Sequence, residues 1–109
     1  MMTLTVTIDA CQIIDRETFH VVFAEAFGFP EFYGHNLDAW IDCMTQLDQP
    51  FSAVQVALGQ LVTLKIEQAD DMKERLPELY ATLLDLAAFV NWRRIKNGHA
   101  PVLVVAAHG

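Results

Sequence analysis

Apolar and polar residues alternate strictly over residues 3–8, with Leu4, Val6 and Ile8 on one side and threonines on the other, which predicts a strand covered on one face. The period then lengthens. Phe19, Val22, Phe23 and Ala26 recur at three and four residues, Asp15 precedes them as a cap and Gly28 follows as a stop, so a helix is predicted over 16–27. His20 sits beside that stripe and reads as a surface or boundary residue, since no second metal ligand lies near it in sequence. Gly28 and Pro30 separate this helix from a short aromatic loop of Phe32, Tyr33 and Gly34. Asn36 then offers a side-chain oxygen to cap a helix over 37–47, in which Leu37, Trp40, Ile41, Met44 and Leu47 form the core stripe.

The next stretch, DQPFSAVQVALGQ over 48–60, fits neither period and is broken by Pro50 and Gly59, so it reads as a short edge strand or a packed loop. A second strand is predicted over 61–66, with Val62, Leu64 and Ile66 facing one way and Lys65 the other. Residues 67–74 are polar and acidic, with room for a helical turn. Leu76-Pro77 opens the longest helix, 77–96, because proline at the first helical position gives up an N–H that has no partner there. Leu79, Tyr80, Leu83, Leu84, Ala87 and Val90 supply its apolar side, Arg93, Arg94 and Lys96 complement its C-terminal dipole, and Asn97-Gly98 ends it. The unbroken apolar run 102–107 reads as a strand buried on both faces. Strands separated by helices imply parallel crossovers, so the expected fold is a small single α/β domain over 1–109, a three-stranded parallel sheet packed against helices.

A chain of 109 residues with 53% hydrophobic content suits one such domain. Its apolar runs are too short to cross a bilayer and MMTLTVTIDA has no basic region ahead of an apolar one, so a cytoplasmic soluble protein is expected. Cys11 and Cys43 are accordingly read as reduced, partly buried packing residues. Seven basic residues against fourteen acidic ones give a net charge of −7, which repels nucleic acid and anionic membranes and favours a cationic partner. No Lys or Arg occurs between Arg16 and Lys65, whereas Arg93, Arg94 and Lys96 crowd the far end.

That distribution singles out the helix at 37–47. Asp38 and Asp42, four residues apart, face the same way, with Gln46 and His35 beside them and no basic residue on the helix. Such a face is either a solvated surface or a site for a cationic ligand. Enzyme chemistry has little support: there is no Gly-rich phosphate loop, no Cys-x-x-Cys, no His-Glu-x-x-His and no Gly-x-Ser-x-Gly. His35, Asp38 and Asp42 could in principle ligate a divalent metal, but three ligands on one exposed helix leave the rest of a shell unsupplied, so no metal or cofactor is expected. An exposed carboxylate pair also lacks the pocket that would raise one pKa for general acid–base work.

Residues 30–43, Pro-Glu-Phe-Tyr-Gly-His-Asn-Leu-Asp-Ala-Trp-Ile-Asp-Cys, resemble the signature of the barstar family, intracellular protein inhibitors of secreted bacterial ribonucleases, which shows Pro-Glu-Tyr-Tyr-Gly-x-Asn-Leu-Asp-Ala-Leu-Trp-Asp-Cys. The resemblance implies that the protein is no enzyme and that it occludes the active site of a basic ribonuclease with an acidic helix and an aromatic loop. It matches Asp42 to the family's dominant acidic contact, Asp38 to its neighbour and Phe32 to a loop aromatic. The expected partner-binding set is Phe32, Tyr33, His35, Asp38, Asp42 and Gln46. Three departures bear on the partner. Phe32 lacks a phenol hydroxyl, Trp40-Ile41 reverses the family's order and turns the indole toward the core, and Asn91-Trp92-Arg93-Arg94 stands where inhibitory members carry an acidic contact, so a guanidinium there would repel a basic cleft. The family's connection at 48–60 is shorter, which makes Phe51, Val54, Val56 and Leu58 an insertion that folds back on the core or serves self-association through 49–60. A protein-interaction module without inhibitory activity is the alternative, and a metal-dependent enzyme the remoter one.

Overall fold

The alternating segment near the N-terminus forms β1 (Thr3–Asp9), and a single 3-10 turn at Ala10–Gln12 leads to α1 (Arg16–Phe27). Then follow α2 (Leu37–Thr45), β2 (Leu61–Glu67), α3 (Ala69–Arg75), α4 (Pro77–Lys96) and β3 (Leu103–Ala107). The computed structural model describes residues 3–31, 33–48, 56 and 60–109. The sheet runs β1-β2-β3 with both pairs parallel, in the register Leu4↔Val62↔Leu103 and Val6↔Leu64↔Val105. This is the α/β architecture that the order of periodicities predicts.

Burial alternates along β2, whose Val62, Leu64 and Ile66 are closed while Thr63 and Lys65 are half-buried. Ile8, Val62, Leu64, Ile66 and Leu103 share the core with Phe19, Phe23 and Phe27 of α1, Trp40 and Met44 of α2, and Leu83, Ala87 and Val90 of α4. The opposite face, with Thr5, Thr7 and Val104, is exposed. The expectation of a β3 buried on both faces is therefore corrected. As the outer strand of three it has one neighbour, and Val104 is 41% exposed.

Capping explains where the helices begin and end. Asp15 Oδ1 accepts from the Thr18 N–H at 2.8 Å while the Thr18 hydroxyl accepts from the Asp15 N–H at 3.0 Å, a reciprocal box that also holds the Asp15 pKa below its usual value. Gly28 closes α1 at φ 64°, a conformation that costs a side-chain-bearing residue more. α2 ends at Thr45, two residues short of expectation, where the Thr45 hydroxyl donates back to the Ile41 carbonyl at 2.6 Å; Leu47 remains buried in the following turn. The polar stretch after β2 forms a complete helix, α3. Its Arg75 donates to Asp71 at 2.7 Å and to the carbonyls of Ile13 and Ala10 at 3.1 and 3.2 Å, tying α3 to the turn after β1.

Both cysteines are free thiols, but Cys11 is exposed rather than partly buried, and Cys43 is half-buried. Val56 packs into the core at 6% exposure. The remaining expectations for 49–60, an edge strand, a packed loop or a self-association surface, fall on residues outside those described apart from Gln60. Among the described residues, no helix is long and apolar enough to cross a membrane.

Candidate partner-binding face

The loop between α1 and α2 is built upward from α1. The Phe29 N–H donates to the Ala24 carbonyl at 3.0 Å and the Tyr33 N–H to the Pro30 carbonyl at 2.9 Å, which folds the chain back over the helix end. Phe29 then contacts the rings of Phe27 and Tyr33, with centroids 5.8 and 4.8 Å away. Beneath them lies His20, 3% exposed, with Nδ1 hydrogen-bonded to the Tyr33 hydroxyl. The expectation of a surface or boundary histidine at 20 is corrected to a buried one, and its place follows from spacing: residue 20 precedes Phe23 by three and Phe27 by seven, on the same helix side. Burial lowers the His20 pKa first, the nearby His35 and Arg16 lower it further, and Glu17 opposes them, so the neutral ring is favoured. Burial likewise pushes the Tyr33 phenol well above its usual range.

His35 takes a left-handed backbone at φ 51°, between Gly34 and the cap of α2. Its Nδ1–H donates to Glu17 Oε1 at 2.7 Å, so α1 holds the loop at two points, His20 through Tyr33 and Glu17 through His35. A Cβ at Gly34 would stand 2.8 Å from the Asn36 side-chain nitrogen, which donates to the Gly34 carbonyl at 3.3 Å, so a larger residue there would displace the capping side chain. The Asn36 oxygen accepts from the Ala39 N–H at 2.8 Å and starts α2.

α2 turns Trp40 and Met44 fully inward, with the indole 5.5 Å from Phe23 and 6.3 Å from Phe19 between ring centres. The Trp40 indole N–H has no hydrogen-bond partner among the described residues. Asp38, Asp42 and Gln46 are exposed on the opposite side, Asp38 in the first helical turn and Gln46 at the C-terminal cap. Of the six residues expected to meet a partner, His35, Asp38, Asp42 and Gln46 lie at the surface. Tyr33 is buried at 6% exposure with its hydroxyl engaged internally, and Phe32 lies outside the described residues. Tyr33 thus sets the shape of the loop from below.

Two arginines that the charge pattern grouped together separate here. Arg93 of α4 reaches across to α2 and donates from Nη1 to Asp42 Oδ1 at 2.9 Å, with the guanidinium side chain 42% and the carboxylate side chain 59% exposed. Arg94 is 3% exposed: it donates to the carbonyls of Ala100 and Thr45 at 2.6 and 2.7 Å and to both Asp48 oxygens at 3.3 and 3.0 Å. Arg94 is grouped by the charge pattern with Arg93 and Lys96 as a complement of the α4 dipole. Its position four residues after Val90 and eleven after Leu83 continues the apolar stripe of α4, and that spacing was the available signal.

Chemically this is an exposed acidic surface. Its carboxylates can accept from cationic groups, whereas its thiol, Cys43, is held protonated by burial and by the neighbouring Asp42 charge. Among the described residues, no group of three His, Cys, Asp or Glu side chains stands close enough to hold a metal ion. The model of the family described as Barstar (barnase inhibitor) matches residues 3–105. No curated protein matches the chain.

Proposed function

Because the chain belongs to the barstar family, we propose that it is a cytoplasmic protein that binds a basic ribonuclease through the face of α2 and the loop before it, blocking the active site without catalysing any reaction itself. The observation that carries this reading is the exposure of Asp38 and Asp42 on a helix whose indole is packed inward, above a loop pinned at two points to α1. A ribonuclease must hold phosphate, so its cleft is cationic, and a rigid helix bearing two carboxylates fits there as a phosphate mimic. The net charge of −7 favours encounter with such a protein. Phe32, His35 and Gln46 complete the contact, with Tyr33 supporting it from beneath.

Titration of the protein into barnase, with RNA hydrolysis as readout, tests the reading. Loss of activity at about one equivalent is expected, with the Asp38→Ala, Asp42→Ala double variant failing to inhibit while retaining its circular dichroism. Asp42→Ala alone should weaken binding more than Asp38→Ala, because Asp42 matches the family's dominant acidic contact. Full ribonuclease activity at excess protein would sink the proposal. The second reading, an interaction module without inhibition, draws on the Arg93–Asp42 pair, which already occupies one carboxylate; complex formation with undiminished RNA hydrolysis would select it.

A further inference from the structure

We propose that the partner carries a carboxylate beside its cationic site, meeting Arg93 of α4, and next to it an apolar pocket that receives Trp92 and Phe89. This rests on the ribonuclease-binding reading and specifies the chemistry of the partner. Arg93 Nη1 holds Asp42 at the surface, and that is the hydrogen bond found for its side chain among the described residues, so a guanidinium with five N–H donors keeps most of them for another acceptor. A partner offering only cations would bring a like charge against Arg93 whenever it approached Asp42. Arg93 would have to swing away, giving up its ion pair. A carboxylate set beside the partner's cation removes that conflict: cation, Asp42, Arg93 and carboxylate then alternate in sign along the interface.

The flank of α4 supplies the apolar part. Phe89 lies one turn before Arg93 and Trp92 is its neighbour; they are 44% and 54% exposed, with ring centres 5.6 Å apart. Lys96 Nζ stands 5.0 Å from the centre of the Trp92 indole, covering part of the ring with a cation. An exposed tryptophan beside an arginine and a second aromatic is the composition that concentrates energy at the centre of protein interfaces. A second copy of this chain is a poorer occupant, because each copy brings a net charge of −7.

Barnase and a set of its single variants, each replacing one basic residue at the border of the cleft by glutamate, would be titrated against the parent chain and against Arg93→Glu. At least one glutamate variant should bind the parent chain about tenfold tighter than barnase does, and Arg93→Glu should reverse that preference. Trp92→Ala should weaken the best pair by about tenfold or more while leaving the melting temperature unchanged. The same rank order of barnase variants for the parent chain and Arg93→Glu overturns the inference and leaves ribonuclease binding standing. Absence of binding in every combination overturns both. A dimer of the parent chain alone, dispersed by Arg93→Glu and by Trp92→Ala in sedimentation, would give this face to a second copy and overturn the inference as well.

Discussion

Arg93 and Arg94 are adjacent in sequence and carry the same charge, yet one lies on a wet surface between two helices and the other inside the fold. Their rotation differs by 100° about the axis of α4, which moves Arg94 onto the stripe of Leu83 and Val90 and leaves Arg93 on the flank toward α2. At Arg94 the guanidinium fork joins three separate pieces of chain: the end of α2 through Thr45, the turn after it through Asp48, and the approach to β3 through Ala100. At Arg93 a single hydrogen bond joins two side chains that water can reach. The first arrangement shapes the backbone beneath the acidic face of α2. The second tunes the charge that the face displays.

Removing Arg94 should therefore have the largest effect of any charge substitution in the molecule. Arg94→Ala leaves the closed-in Asp48 carboxylate without its guanidinium and frees two carbonyls, and breaking a buried pair in this way costs about 3–5 kcal/mol. Arg94→Lys keeps the charge but cannot reproduce the fork, so most of the loss should remain. Urea unfolding of the two variants measures this directly. A midpoint within error of the parent's would show that Arg94 belongs with Arg93 as a surface cation.

What the sequence could and could not reveal follows the same division. The strand periods, the Asp15 and Asn36 caps and the Gly28 stop are local signals, and each specifies its element without help from the rest of the chain. The signature at 30–43 marks the acidic helix in the same local way. Arg94 and His20 are polar residue types on otherwise apolar stripes, and only their spacing, not their chemistry, points inside. The Arg93–Asp42 and His35–Glu17 contacts could not be read at all. They join residues 51 and 18 positions apart, and only the packing of α4 on α2 and of the loop on α1 creates them.

The support under the loop should give the next largest effect. Tyr33→Phe leaves His20 Nδ1 buried without its partner, at a cost of about 1–3 kcal/mol. The same pair gives stability a definite pH dependence. His20 binds a proton less readily in the folded state than at its usual value of 6.5, so the unfolded chain carries more protons in that range. The His20 contribution is fully present above pH 6.5 and is lost as pH falls from there through the lowered folded value. His20→Gln should remove that component, so the difference between parent and variant unfolding curves should vary with pH below 6.5 and become constant above it. A difference that is flat throughout would mean that folding leaves the His20 pKa unchanged, and a difference that varies above pH 6.5 would mean that the imidazole is charged inside the fold.

Arg93→Ala should give the smallest stability change. The pair it breaks is about half exposed, and the Coulomb gain of such a pair is largely offset by screening and by the entropy of holding two side chains in one geometry, so the expected loss is within about 0.5 kcal/mol. Asp42 remains at the surface in the variant and can be solvated where the guanidinium stood. The consequence for binding runs the other way. With Arg93 gone, Asp42 faces a partner without its ion pair, so association with barnase should become faster and depend more steeply on salt than for the parent chain. Stopped-flow association at two ionic strengths, with urea unfolding alongside, separates these outcomes. A large loss of stability would make Arg93 a structural arginine like its neighbour, and an unchanged association rate would mean that the Asp42 charge lies outside the encounter surface.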